Sequence, residues 1–135
     1  MSEENKIPVK AVGGDMSAGM IVLVDDEEVL LKLFGRIIES LGFRAITFSD
    51  PKKALTFIEK QDQNPDLVIA DFVMPQMSGV ELIGEIRKKW PEMPMLCISG
   101  MEGSSKLAKK AGCVNFLLKP FSREALEEKI HNALE

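Results

Sequence analysis

Short apolar runs punctuate this chain, and between them polar and apolar residues recur at helical spacing. The runs are 20–24 (MIVLV), 44–48 (RAITF), 67–70 (LVIA), 94–98 (PMLCI) and 114–118 (VNFLL). Stretches this short and this rich in Val, Ile and Leu read as strands buried on both faces, because a strand with one wet face alternates strictly. We number them β1 to β5. Helical segments alternate with them, which is the βα rhythm of a parallel sheet. The first, α1 (29–41), carries an apolar stripe of Val29, Leu30, Leu33, Ile37, Ile38 and Leu41, and Gly42 stops it. Asp50 ahead of Pro51 caps α2 (from 51), and Ser78 starts α3 (from 78). Glu102 to Ser105 open α4 (from 102), and Ser122 with Glu124 and Glu127 opens α5 (from 122 to the chain's end). Right-handed crossovers then leave a doubly wound α/β sheet of five parallel strands with helices on both faces. Residues 1–19 lack periodicity and carry Gly13, Gly14 and Gly19, so they read as a flexible leader or linker ahead of one domain over 20–135.

Composition narrows the function without changing that picture. A chain of 135 residues supports one hydrophobic core, and 45% hydrophobic with 28% charged residues is the balance of a soluble globular protein. The net charge of −4 gives no sequence-wide attraction for nucleic acid or an anionic membrane, so direct nucleic-acid binding by this chain is not expected. No apolar run approaches the roughly 20 residues that span a bilayer, and no signal-like stretch opens the chain, which predicts a cytoplasmic protein. Cys97 and Cys113, outside any CxxC pair, read as buried free thiols.

In doubly wound sheets ligands gather beyond the carboxyl ends of the strands, where the strand order reverses. The polar residues at those ends form a set that no single motif displays: Asp25 and Asp26 after β1, Asp71 after β3, Ser99 after β4 and Lys119 after β5. Three crowded carboxylates repel one another, and one lysine cannot balance them. A divalent cation is implied, and an all-oxygen donor set without His or Cys selects the hard ion Mg²⁺. Asp25, Asp26 and Asp71 would hold it, with the backbone carbonyl of Val73 as a further ligand. An aspartate beside such an ion can attack phosphorus and form an acyl phosphate. Asp71, on the central strand, suits that role. Lys119 would pair with one phosphoryl oxygen, and the Ser99 hydroxyl would donate to another.

These residues resemble the receiver domain of two-component response regulators from about Met20 to Leu134. The marks are "VDDE" at 24–27, "ADFVMPQMSG" at 70–79, "SG" at 99–100 and "LKPF" at 118–121. The resemblance implies a flavodoxin-like strand order 2-1-3-4-5 and Mg²⁺-dependent phosphoryl transfer from a histidine kinase or phosphotransfer protein to Asp71. It also implies self-catalysed hydrolysis and a cis Lys119–Pro120 peptide. A switch would join Ser99 to an aromatic residue on β5, here Phe116, and alter the α4-β5-α5 surface that meets a downstream partner or a second copy in a homodimer. Phe116 lacks a hydroxyl, so it reads either as that switch or as fixed core. Val73 stands where the family often has a polar residue. Two rivals remain: a Mg²⁺-dependent phosphohydrolase working through an aspartyl phosphate, which would want an acid at position 73, and a degenerate receiver serving only as a binding module.

Overall fold

Ile21 to Val24, Leu67 to Ala70 and Leu96 to Ile98 are all buried, as strands covered on both faces must be. They form the middle of a five-stranded sheet in a computed structural model that describes residues 18–60 and 64–135. The elements are β1 (Gly19–Val24), α1 (Glu28–Ser40), β2 (Phe43–Phe48), α2 (Pro51–Lys60) and β3 (Leu67–Asp71), followed by α3 (Gly79–Lys89), β4 (Met95–Ser99), α4 (Ser104–Ala111), β5 (Phe116–Leu118) and α5 (Arg123–Leu134). Every strand pair is parallel and the order is β2-β1-β3-β4-β5, the flavodoxin-like arrangement. The order reverses between β1 and β3, so the carboxyl ends of those neighbouring strands flank a crevice.

The two faces of the sheet are sorted by the two-residue period of the strands. Val22, Val24, Val68 and Ala70 pack with Ala54 and Ile58 of α2, Leu82, Ile83 and Ile86 of α3, and Ala108 of α4. Their neighbours Ile21, Leu23, Leu67 and Ile69 pack with Leu31, Phe34 and Ile38 of α1 and with Leu126 and Ile130 of α5. The helices are begun by local chemistry. Ser78 and Glu81 form a reciprocal capping box on α3, at 3.1 and 3.0 Å. The Ser122 hydroxyl accepts the Ala125 N–H at 3.0 Å, and Asp50 accepts that of Lys52 at 2.9 Å.

Several sequence expectations need correction. The apolar stripe of α1 is shifted in part: Ile38 is buried and Leu30, Ile37 and Leu41 pack against the same core as expected, but Leu31 and Phe34 face the sheet where Val29 and Leu33, 77% and 50% exposed, do not. Apolar residues occupy more than one face of this helix, so periodicity admits two orientations and the sheet decides between them. β1 begins at Gly19, one residue inside the expected leader; positions 1–17 of that leader lie outside the described residues. β5 is only Phe116–Leu118, with Val114 solvent-exposed. There the Asn115 side chain turns back to donate to the Met95 carbonyl at 3.4 Å. α4 starts at Ser104, later than expected, because Gly103 at its N-cap takes a left-handed φ of 89° that ends the preceding turn.

Candidate functional site

The carboxyl edge of the sheet collects the polar residues. β1 hands over to Asp25, whose N–H donates to the Phe48 carbonyl at 3.1 Å, the last link to β2. The Asp25 carboxylate turns back and accepts the Glu27 N–H at 2.9 Å, starting α1. Asp71, the final residue of β3, accepts the Val73 N–H at 3.2 Å in the same manner. Both carboxylates are buried, Asp25 at 2% and Asp71 at 7% exposure. Asp26 is more open to solvent, yet one oxygen from each of Asp25, Asp26 and Asp71 falls within 4.8 Å of the other two.

Lys119 enters from the end of β5. Its N–H donates to the Ser99 carbonyl at 2.8 Å, and the Lys119–Pro120 peptide that follows is cis. The Lys119 Nζ sits 3.3 Å from Asp71, 3.5 Å from Asp25 and 3.7 Å from Glu27. One cation therefore serves three carboxylates, with Asp26 close by.

The electrostatics follow from that imbalance. Burial raises the pKa of Asp71; the Val73 N–H and Lys119 pull it back, and Asp26 adds to the rise. Asp25 is likewise raised, first by burial and then by Asp71, against the opposing Glu27 N–H and Lys119. For Lys119 burial works against the ammonium, but Asp71 and Asp25 overcome it and leave its pKa raised. The pocket is thus short of positive charge, and its all-oxygen acidic donors suit a hard dication.

Ser99 ends β4 on the same edge, fully buried, but its hydroxyl is turned toward α4. It accepts the Met101 N–H at 3.0 Å and donates to the Ser104 hydroxyl at 3.2 Å. Phe116, paired in register with Cys97, is half-buried against the core on the α3 and α4 side of the sheet. The Val73 side chain is half-exposed beside Asp71. Cys97 and Cys113 are buried free thiols.

Three contributors went unread in the sequence. Glu27 reaches Lys119, and its place in the run "VDDE" was the only available signal. Ser104 partners Ser99 across five positions, a spacing with no periodic signature. Phe121 stacks on Phe34 with ring centroids 5.1 Å apart, tying the segment after Lys119 to α1.

The sequence model of the response regulator receiver domain matches residues 21–131. The chain belongs to that family. It is 35% identical over 117 residues to the transcriptional regulatory protein GlrR of Escherichia coli K12, covering 85% of this chain and 26% of that protein. It is 26% identical over 118 residues to a chemotaxis protein CheY homolog of Campylobacter jejuni, covering 84% and 91%. Among solved structures it resembles a response regulator receiver domain protein from Clostridium thermocellum, with a TM-score of 0.79 and 30% identity over 85% of this chain and 93% of that one. The chain spans only 16% and 26% of the length of the first two curated relatives it matches, which are larger regulators. Receiver domains are signalling phosphoacceptors of two-component systems, and the acidic pocket of this chain fits that role. No helix among the described residues is long and apolar enough to cross a membrane.

Proposed function

We propose that Asp71 of this receiver domain accepts a phosphoryl group from a histidine kinase or phosphotransfer protein. The observation that carries the reading is the Lys119 ammonium held 3.3 Å from a buried, underbalanced Asp71 carboxylate. In the transfer an Asp71 oxygen forms a bond to phosphorus while the bond from phosphorus to the donor nitrogen breaks, and the donor leaves with that electron pair. Lys119 would leave its contacts with Asp25 and Asp71 for a phosphoryl oxygen. The Ser99 hydroxyl would donate to a second oxygen, with Phe116 following it inward.

Asp25, Asp26 and Asp71, with the carbonyl of Val73, would hold Mg²⁺. When bound, it would supply charge neutralisation for the transferring oxygens. The same pocket would admit water to hydrolyse the acyl phosphate, and the apolar Val73 offers that water no hydrogen bond. The readout would pass to the α4, β5 and α5 surface, which meets a downstream protein or a second copy of the chain. A cytoplasmic location suits these partners.

Incubation with acetyl phosphate and Mg²⁺, followed by intact mass measurement, tests the reading. The expected result is the mass gain of one phosphoryl group in the parent protein and none in Asp71→Asn. A gain that survives Asp71→Asn would overturn the assignment, as would no gain in either protein.

A further inference from the structure

Among the described residues, Ser99 and Ser104 carry the only buried hydroxyls, with 0% and 2% exposure, and they are bonded to each other. The Ser99 hydroxyl is engaged on two sides: its proton goes to Ser104 and it accepts the Met101 N–H. Ser104 is the first residue of α4, and its own N–H closes the loop onto the Met101 carbonyl at 3.3 Å. The loop between the two serines contains Gly100 and Gly103, and a side chain added at Gly103 would meet nothing within 4 Å. A pliable segment with room to move is thus joined to the Ser99 hydroxyl at Met101 and, at the start of α4, through the one side-chain bond to Ser104.

We propose that Ser104 is a positioning residue: in the unphosphorylated protein it holds the Ser99 hydroxyl on α4, and phosphorylation frees α4 by drawing that hydroxyl away. The inference rests on Asp71 being the phosphoacceptor. A hydroxyl gains a stronger, charge-assisted bond when it leaves a neutral partner for a phosphoryl oxygen, so the exchange runs toward the phosphorylated arrangement. Its other product is a Ser104 hydroxyl buried at the first turn of α4 without its partner, and a buried group in that condition drives its surroundings to rearrange. The hydrogen bond therefore carries the event at β3 directly into α4. Removing the Ser104 hydroxyl destabilises only the resting arrangement, which by linkage must tighten binding of any phosphoryl mimic.

The test is a double-mutant cycle read by amide NMR over 105–111, with beryllofluoride and Mg²⁺ as titrant and intact mass after acetyl phosphate run alongside. In Ser104→Ala we expect the α4 signals of the free protein to move toward their beryllofluoride-bound positions. Half-saturation should fall about fivefold, equivalent to about 1 kcal/mol. In a Ser99→Ala background the same substitution should change neither. A Ser104→Ala protein that titrates like the parent, or that shows its full effect without Ser99, overturns the latch and leaves the phosphoacceptor reading standing. Absence of any mass gain in the parent protein overturns both. Should Ser104→Ala fail to fold, Ser104→Cys keeps the volume with a weak acceptor, and a smaller shift in the same direction is expected.

Discussion

β3 changes character within one residue. Ile69 and Ala70 are buried hydrocarbon in a parallel sheet, and Asp71, nearly as buried, is a carboxylate whose ionised form is disfavoured there. Burial has opposite sign in the two places. In the sheet interior it removes apolar surface from water and stabilises, by roughly 1.5–3 kcal/mol for a large aliphatic side chain. At the carboxyl edge it strips water from Asp25 and Asp71 and leaves them dependent on Lys119. The contrast teaches that the edge is held in an unfavourable state by the interior, and that a ligand bringing positive charge would relieve it.

The largest effect lies on the interior side. Ile69→Ala should lose about 3.5 kcal/mol, the usual sum of lost transfer energy and residual cavity in a tightly packed core. Urea unfolding measures it; a loss under about 1 kcal/mol would mean that β3 is not the clamp the comparison requires. Next comes the cation. Lys119→Met leaves Asp25 and Asp71 buried without a counter-charge. Breaking a buried pair typically costs about 3–5 kcal/mol, which the one-fifth exposure of Lys119 reduces to about 2. The sign with pH is definite. The raised folded pKa of Lys119 means that its stabilisation is present at neutral pH and is lost as pH rises through that folded value. In the variant the deficit should shrink on acidification as the two carboxylates take up protons. A deficit independent of pH would reassign the loss to packing of the lysine stem.

The interior was legible in the sequence because two-sided burial leaves a simple trace, the short Val, Ile and Leu runs, and parallel pairing follows from the helices between them. The carboxyl edge was legible in membership: Asp25, Asp26, Asp71, Ser99 and Lys119 do lie at neighbouring strand ends. Its wiring was not. That Ser99 points to Ser104, or that Glu27 shares Lys119, depends on how loops close between elements, and no local period encodes that closure. The buried face of α1 was read only in part, for a related reason. Its apolar residues outnumber what one stripe needs: Leu30, Ile37, Ile38 and Leu41 do pack inward, and only the sheet adds Leu31 and Phe34 in place of Val29 and Leu33.

A smaller effect of opposite direction sharpens the comparison. Asp25→Asn should stabilise the metal-free protein at pH 7 by about 1 kcal/mol, an ordinary size for a single substitution but of the rarer sign. The folded pKa of Asp25 lies above its unfolded value, so between the two the native state binds more protons than the unfolded one. Stability then falls as pH rises through that window, and the full cost is present above it. Asparagine removes the charge yet can still accept the Glu27 N–H. Thermal unfolding with EDTA and again with Mg²⁺ gives the check: added Mg²⁺ should raise the midpoint of the parent protein and raise that of the variant less. Equal stabilisation of both by Mg²⁺ would remove Asp25 from the proposed ligand set.

The smallest effect concerns apolar residues that are not buried. Val29 and Leu33 stand one helical turn apart on the outer face of α1, and only their exposure separates them from Leu31 and Phe34 on the inner face. If burial and not residue type sets the energy, Val29→Ser and Leu33→Ser should each change stability by no more than about 0.5 kcal/mol, since Ser, Val and Leu differ little in helix propensity. Leu31→Ser should cost several times more, because it removes core hydrocarbon and buries a hydroxyl. Urea midpoints for the three variants decide it. A loss above about 2 kcal/mol at Val29 would show that this face is covered in solution, which would make the exposed apolar stripe of α1 a contact surface.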